Sequence, residues 1–143
     1  MYPFFSHERK VDMINTSAFD YINVLDRAAD AAWKRNEAIS NNIANATTPG
    51  YKRQDVAFES ELKRALGRAT SSTMDQAVAG VDTTSARLDG RPYTDNADLS
   101  YRLDGNNVDI ENENVMLAEN QIKIQGLMTS ITQEFANLQM VMK

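Results

Sequence analysis

"SNNIANATTPGYKRQDVAF", residues 40–58, decides how this chain is organised. It carries no charge before Lys52 and holds three asparagines, Asn41, Asn42 and Asn45. Thr48 precedes a proline and is pushed out of the helical region, and Pro49-Gly50 suits the two central positions of a type II turn. A long helix therefore ends here, and the chain leaves through the basic pair Lys52-Arg53. Either that pair is a solvated helix exit, favoured by the negative end of the dipole, or it meets an anionic partner.

Working back from the turn, no Gly or Pro interrupts residues 17–46. "SAFD", residues 17–20, has the Ser-x-x-Asp form of a capping-box start. Ala18, Leu25, Ala32 and Ile39 recur every seven residues, and Ile22, Ala29, Asn36 and Ile43 form the neighbouring row. Both rows fall on one helical face. The spacing predicts a helix roughly 45 Å long. The residues before it, 1–16, show no period and read as a flexible arm.

Working forward, Phe58, Leu62, Ala65 and Leu66 share a face and Gly67 follows, which predicts a short helix. Residues 68–107 are rich in Ser, Thr, Asp, Asn and Gly and read as loop, partly disordered, with one extended piece around Tyr93, Leu99, Tyr101 and Leu103. Beyond them Asp109 is placed to cap a helix, with Glu111 and Glu113 in its first turn. Leu117, Ile124, Ile131 and Leu138 repeat by seven, flanked by Leu127 and by Met128, Phe135 and Met142. Asn36 and Asn120 each fall on an apolar row, where a buried amide fixes register at a cost in stability.

The fold class is thus mainly α. Long N- and C-terminal helices pair as a coiled coil, with a short third helix and a loop-rich middle. The boundaries are an arm over 1–16, a helical core formed by 17–46 with 108–143, and a linking and variable region over 47–107.

The outside of these helices is unusual. From residue 114 onward the only charges are Glu119, Lys123, Glu134 and Lys143, and Val115, Ile122 and Met140 lie off the seam. A solvated helix face normally carries Lys and Glu one turn apart. Gly126 in mid-helix costs up to about 1 kcal/mol relative to Ala, a cost offset where another backbone approaches closely. Trp33 also lies off the seam and suits either an interface anchor or a partly buried surface position. Helices of this kind are touched from several sides. A head-to-tail contact that does not close gives a filament.

Chemistry finds little foothold. The net charge of −5 opposes non-specific nucleic-acid binding, which needs a positive footprint. There is no Cys, and the one His, His7, stands in the arm, so no nucleophile–base pair has a scaffold. Asp104 and Asn106 match the first and third places of a calcium loop, but Val108 and Asp109 break the fifth and sixth. No apolar run spans a bilayer, and the start lacks the basic-then-apolar pattern of a cleaved leader. No cofactor, metal, nucleic acid or direct membrane span is expected.

With those residues in view, "ISNNIANATTPGYKRQDVAF" (39–58) and "LDGNNVDIENENVMLAENQIKIQGLMTSI" (103–131) resemble the bacterial flagellar axial proteins, the family of rod, hook and hook-associated subunits. Asn42, Asn45, Thr48, Pro49, Gly50, Tyr51 and Lys52 carry the motif, and the chain is most similar to the proximal rod members. The resemblance implies a non-enzymatic subunit whose terminal helices form the inner coiled-coil domain of a tubular polymer. It implies as partners other copies, other rod subunits, a membrane-ring adaptor protein and the flagellar type III export apparatus. It places the protein in the periplasmic rod of the basal body, after export without a cleaved leader. A sister rod subunit shares the signature. A soluble homodimeric coiled-coil adaptor and a small helical-bundle enzyme are the rival classes.

Overall fold

A computed structural model describes residues 8–68, 73–81, 88–96 and 105–142. Helix α1 runs Glu8–Ala44, strand β1 Gln54–Ala57, helix α2 Glu59–Arg68, helix α3 Met74–Ala79, strand β2 Arg91–Thr94 and helix α4 Ile110–Val141. The terminal helices dominate, as the heptad rows require. They are antiparallel: Asn120 reaches Ala32, and Glu113 reaches Asn42.

Helix α1 does not start at Ser17. It runs through that position from Glu8, because residues 8–16 contain no Gly or Pro and include the strong helix formers Glu8, Arg9 and Lys10. Of the arm expected over 1–16, residues 1–7 lie outside the described residues.

The turn after α1 forms as read. Tyr51 N–H donates to the Thr48 carbonyl at 3.2 Å, and Gly50 sits at φ 76°, as the third position of a type II turn requires. At the other end Asp109 caps α4, accepting from the backbone N–H groups of Glu111 and Asn112.

The middle of the chain contains more structure than its composition suggests. Strands β1 and β2 pair antiparallel, Gln54 opposite Thr94 and Ala57 opposite Arg91. Tyr93 lies in β2, whereas Leu99, Tyr101 and Leu103 fall outside the described residues. Helix α2 turns Leu62, Ala65 and Leu66 inward, as their shared face indicates.

Helix α1 buries two faces. Ile22, Ala29, Ala32 and Ile39 are buried on the side of α4, with Ile124 and Asn120 opposite. Ala31 and Ala38, on another face, pack with Val56, Phe58, Val81 and Leu88, and Val24 and Ala28 border that cluster. Alanines there let the sheet come within van der Waals contact of the helix. Gly90 is the closest point: a Cβ built on it would lie 2.8 Å from the Ala31 Cβ.

Candidate functional site

The asparagine-rich end of α1 is where the sheet, α1 and α4 are joined. Asn42 is fully buried. Its Nδ2 donates to the Gln54 carbonyl at 2.7 Å and to Glu113 Oε2 at 3.0 Å. Its Oδ1 accepts from Gln54 N–H at 2.9 Å and from the Tyr51 hydroxyl at 3.2 Å. All four hydrogen-bonding capacities of the amide are used. With Gln54 it exchanges the pair of bonds that a neighbouring strand would make, so it closes the outer edge of β1 with a side chain.

Arg35, two turns earlier on the same row, continues the closure. It donates to the Val56 carbonyl at 2.6 Å and to Asp55 Oδ1 at 3.3 Å, and it grips both oxygens of Glu59 at 2.5 and 2.6 Å. Lys123 of α4 reaches the same Glu59 at 2.6 Å. Arg27 pairs with Asp89 at 2.5 Å and Lys34 donates to the Asp89 carbonyl, which fastens the approach to β2 onto α1.

Glu113 is buried in the first turn of α4, and Arg53 meets its Oε1 at 2.6 Å. Arg53 also reaches Asp55 at 3.1 Å, and its backbone N–H donates to Asn107 Oδ1 at 2.7 Å. Burial works against its charge, but the hydrogen bond to Glu113 and the nearby carboxylates outweigh it and hold the guanidinium above its ordinary pKa. A buried charge left without its partner is costly, so Arg53 and Glu113 hold the two segments together as a unit. Lys52 donates to the Gly105 carbonyl at 3.1 Å, and Asn106 Nδ2 to the Ala46 carbonyl at 3.0 Å. The basic pair is thus turned inward onto the lead-in to α4 and is neither a solvated exit nor a free anion site.

Of the motif residues, Asn42, Tyr51 and Lys52 meet in this corner. Asn45 turns back to the Asn41 carbonyl, and Thr48 donates to Asn45 Oδ1, finishing the helix end. Pro49 and Gly50 are exposed and shape the turn. Five residues that the sequence analysis did not single out for this joint are part of it: Arg35, Gln54, Asp55, Glu59 and Glu113. A signal existed for two of them. Glu113 stands one heptad before Asn120, and Arg35 one heptad before Asn42.

Along the seam, Asn120 Nδ2 donates to the Ala32 carbonyl at 2.9 Å. Among the described residues, its Oδ1 and that of Asn36 are buried with no hydrogen-bond partner, which costs stability. Leu25, Ile43, Leu117, Leu127, Ile131 and Leu138 are half-buried at the seam edges, while Met128, Phe135 and Met142 are exposed. Among the described residues, nothing beyond the neighbouring turns of its own helix backbone lies within 4 Å of a Cβ built on Gly126. Trp33 is exposed.

Among the described residues no three His, Cys, Asp or Glu gather where a metal could bind, and no helix is long and apolar enough to cross a membrane. The hydrogen bonds of Asn42, Arg35 and the Arg53–Glu113 pair brace one element against another.

The clearest titration is that of Glu59. The hydrogen bonds from Arg35, assisted by Lys123, pull its pKa down from 4.5 to about 2. A depressed carboxylate contributes stability that is complete above pH 4.5 and lost as pH falls toward 2. Solvent screening keeps the effect modest, because Glu59 is half exposed. Glu59→Gln is expected to lower stability at pH 7 and to flatten the decline across that acid window, as read from thermal melts at stepped pH.

Fold and corner together define a helical-pair subunit braced at one end by a polar joint. The sequence profile described as flagella basal body rod protein matches residues 22–52, the span from the seam through the corner turn. The flagellar basal body rod protein FlgB of Escherichia coli K12 is 32% identical over 117 residues, covering 77% of this chain and 83% of the relative. FlgB of Bacillus subtilis 168 is 32% identical over 121 residues, covering 85% and 92%. FlgB of Cereibacter sphaeroides is 32% identical over 124 residues, covering 87% and 94%. The chain belongs to the FlgB family of flagellar basal body rod proteins.

Proposed function

We propose that this protein is a structural subunit of the proximal rod that polymerises helically through its terminal helices and transmits torque. The observation that carries this reading is the uneven finish of the helical pair. One end and one flank are closed by the corner and the sheet, while Val115, Ile122, Met128, Phe135 and Met140 remain at the surface of α4. Large apolar side chains left exposed along a helix in this number mark interaction surfaces. Copies of the chain, other rod subunits and a membrane-ring adaptor are the partners that such a rod position calls for. Delivery by the flagellar type III apparatus to the periplasmic end of the basal body completes the reading. The corner would set the angle at which the sheet region leaves the helical pair, so that load on one passes to the other.

Gly126 tests the polymerisation step. Its helical backbone faces open space, so Gly126→Leu fits the isolated chain and raises helix propensity by up to about 1 kcal/mol. In cells deleted for the wild-type gene, electron microscopy of purified basal bodies is expected to show no complete rod. The wild-type copy should restore it, and the leucine variant should be exported without restoring it. Normal motility with Gly126→Leu would contradict close packing at that position. Complete rods in the deletion itself would remove the rod assignment.

A further inference from the structure

The two exposed sides of the helical pair are different surfaces, and they complement one another. On α4, Met116 touches Arg53 and Lys123 reaches Glu59, so these side chains mark the flank next to the sheet. At about 100° per residue, Met128 and Phe135 project from the opposite flank. On α1, Arg27, Ala31, Lys34 and Arg35 face the sheet region, and the same rotation carries Phe19 and Trp33 to the opposite flank. The stagger that joins Asn120 to Ala32 and Glu113 to Asn42 sets Phe135 level with Phe19. Tyr21 agrees with it: besides its hydrogen bond to Asp75, its hydroxyl pKa is raised by the charge of Glu134.

An open groove therefore runs between α1 and α4 on the side away from the sheet, lined by Phe19, Trp33, Met128 and Phe135, each about half exposed (50%, 56%, 49% and 49%), with the exposed Asp26 on the row between Phe19 and Trp33. From Phe19 to Trp33 it is about 21 Å long. The outer face of α4, opposite the seam, offers the counterpart. Val115, Ala118, Ile122, Gly126, Thr129, Ala136 and Met140 form one stripe, on which Glu119 is the only charge. Its middle is small, and Gly126 leaves room for a large side chain to approach the backbone.

We infer, building on the rod reading, that the outer stripe of α4 in one copy seats in this groove of the next copy, completing a three-helix contact. Large side chains of the groove meet small ones of the stripe, the ridge-and-hole relation of helix packing. Because the two surfaces differ, the contact is head-to-tail and does not close on itself, as a rod demands and a two-fold dimer does not. The stripe brings one charge, Glu119, and the Phe19–Trp33 row of the groove one, Asp26, so few ions are desolvated as it enters.

The chain has no Cys, so engineered thiols report the contact cleanly. Ile122→Cys marks the stripe and Met128→Cys the groove, both at exposed positions. The two variants are co-expressed in cells lacking the wild-type gene, and purified basal bodies are treated with a short bis-maleimide. A cross-linked dimer is expected from the mixture, at least tenfold stronger than from either variant alone. Should Met128→Cys fail to enter the rod, Gln121→Cys replaces it one heptad away on the same flank. A dominant dimer within a single variant, a cross-link only to a different rod subunit, or no cross-link from incorporated protein would each overturn the seating and leave the rod assignment standing. Absence of the wild-type protein from basal bodies would remove the assignment and this inference with it.

Discussion

Replacing Asn42 by leucine is expected to cost about 3–5 kcal/mol and to detach the sheet region from the helical pair. The change keeps the bulk and removes four hydrogen bonds at once. Gln54 N–H and C=O lose their partner at the outer edge of β1, and Glu113 loses a neutral donor while still buried beside Arg53. Leaving buried polar groups unpaired costs far more than the net worth of the bonds when formed. Asn42→Asp should be at least as damaging near neutral pH, because it sets a second carboxylate against Glu113. Thermal melts followed by circular dichroism check both. A drop below about 1 kcal/mol for Asn42→Leu would mean that the corner is not the joint described here.

Gly90→Val is the second change with a large expected effect. The backbone there has φ 59°, which costs an L-residue about 1–2 kcal/mol. A Cβ would also meet Ala31 Cβ at 2.8 Å, Ala31 Cα at 3.0 Å and Val56 Cγ1 at 3.2 Å. Two of these atoms belong to a side chain too short to move aside and to helix backbone, so overpacking adds about 1–3 kcal/mol. The sum should appear as lost protection of β1 and β2 amides in hydrogen exchange, with α4 less affected. Gly67→Ala is the control: its helical site opens on empty space, and the variant should hold or slightly gain stability.

These two positions also separate what was readable in the chain from what was not. The two terminal helices, the turn at Pro49-Gly50 and the Asp109 cap are local or periodic features and are present, although α1 starts at Glu8 and not at Ser17, and Met128, Phe135 and Met142 of the expected rows are exposed. The sheet was not read. Each strand has only four residues, and β1 finds its partner beyond α2 and α3. Strands this short carry no alternation long enough to stand out from loop. Arg53 illustrates the same limit: beside Lys52 it reads as a solvated basic pair, and only its place next to Glu113 makes it the ion that ties β1 to α4.

By itself, the order of residues determined the two long helices and that they pack together, because heptad spacing and helix-ending chemistry act within a few residues of their cause. The tertiary structure alone decided that α1 has a second buried face, where Ala31 and Ala38 are small so that the sheet can lie against them. It also decided that Asn42 stands in for a missing strand. Both depend on segments far apart in the chain arriving at one place, and the free energy of those meetings is written in no single stretch of sequence.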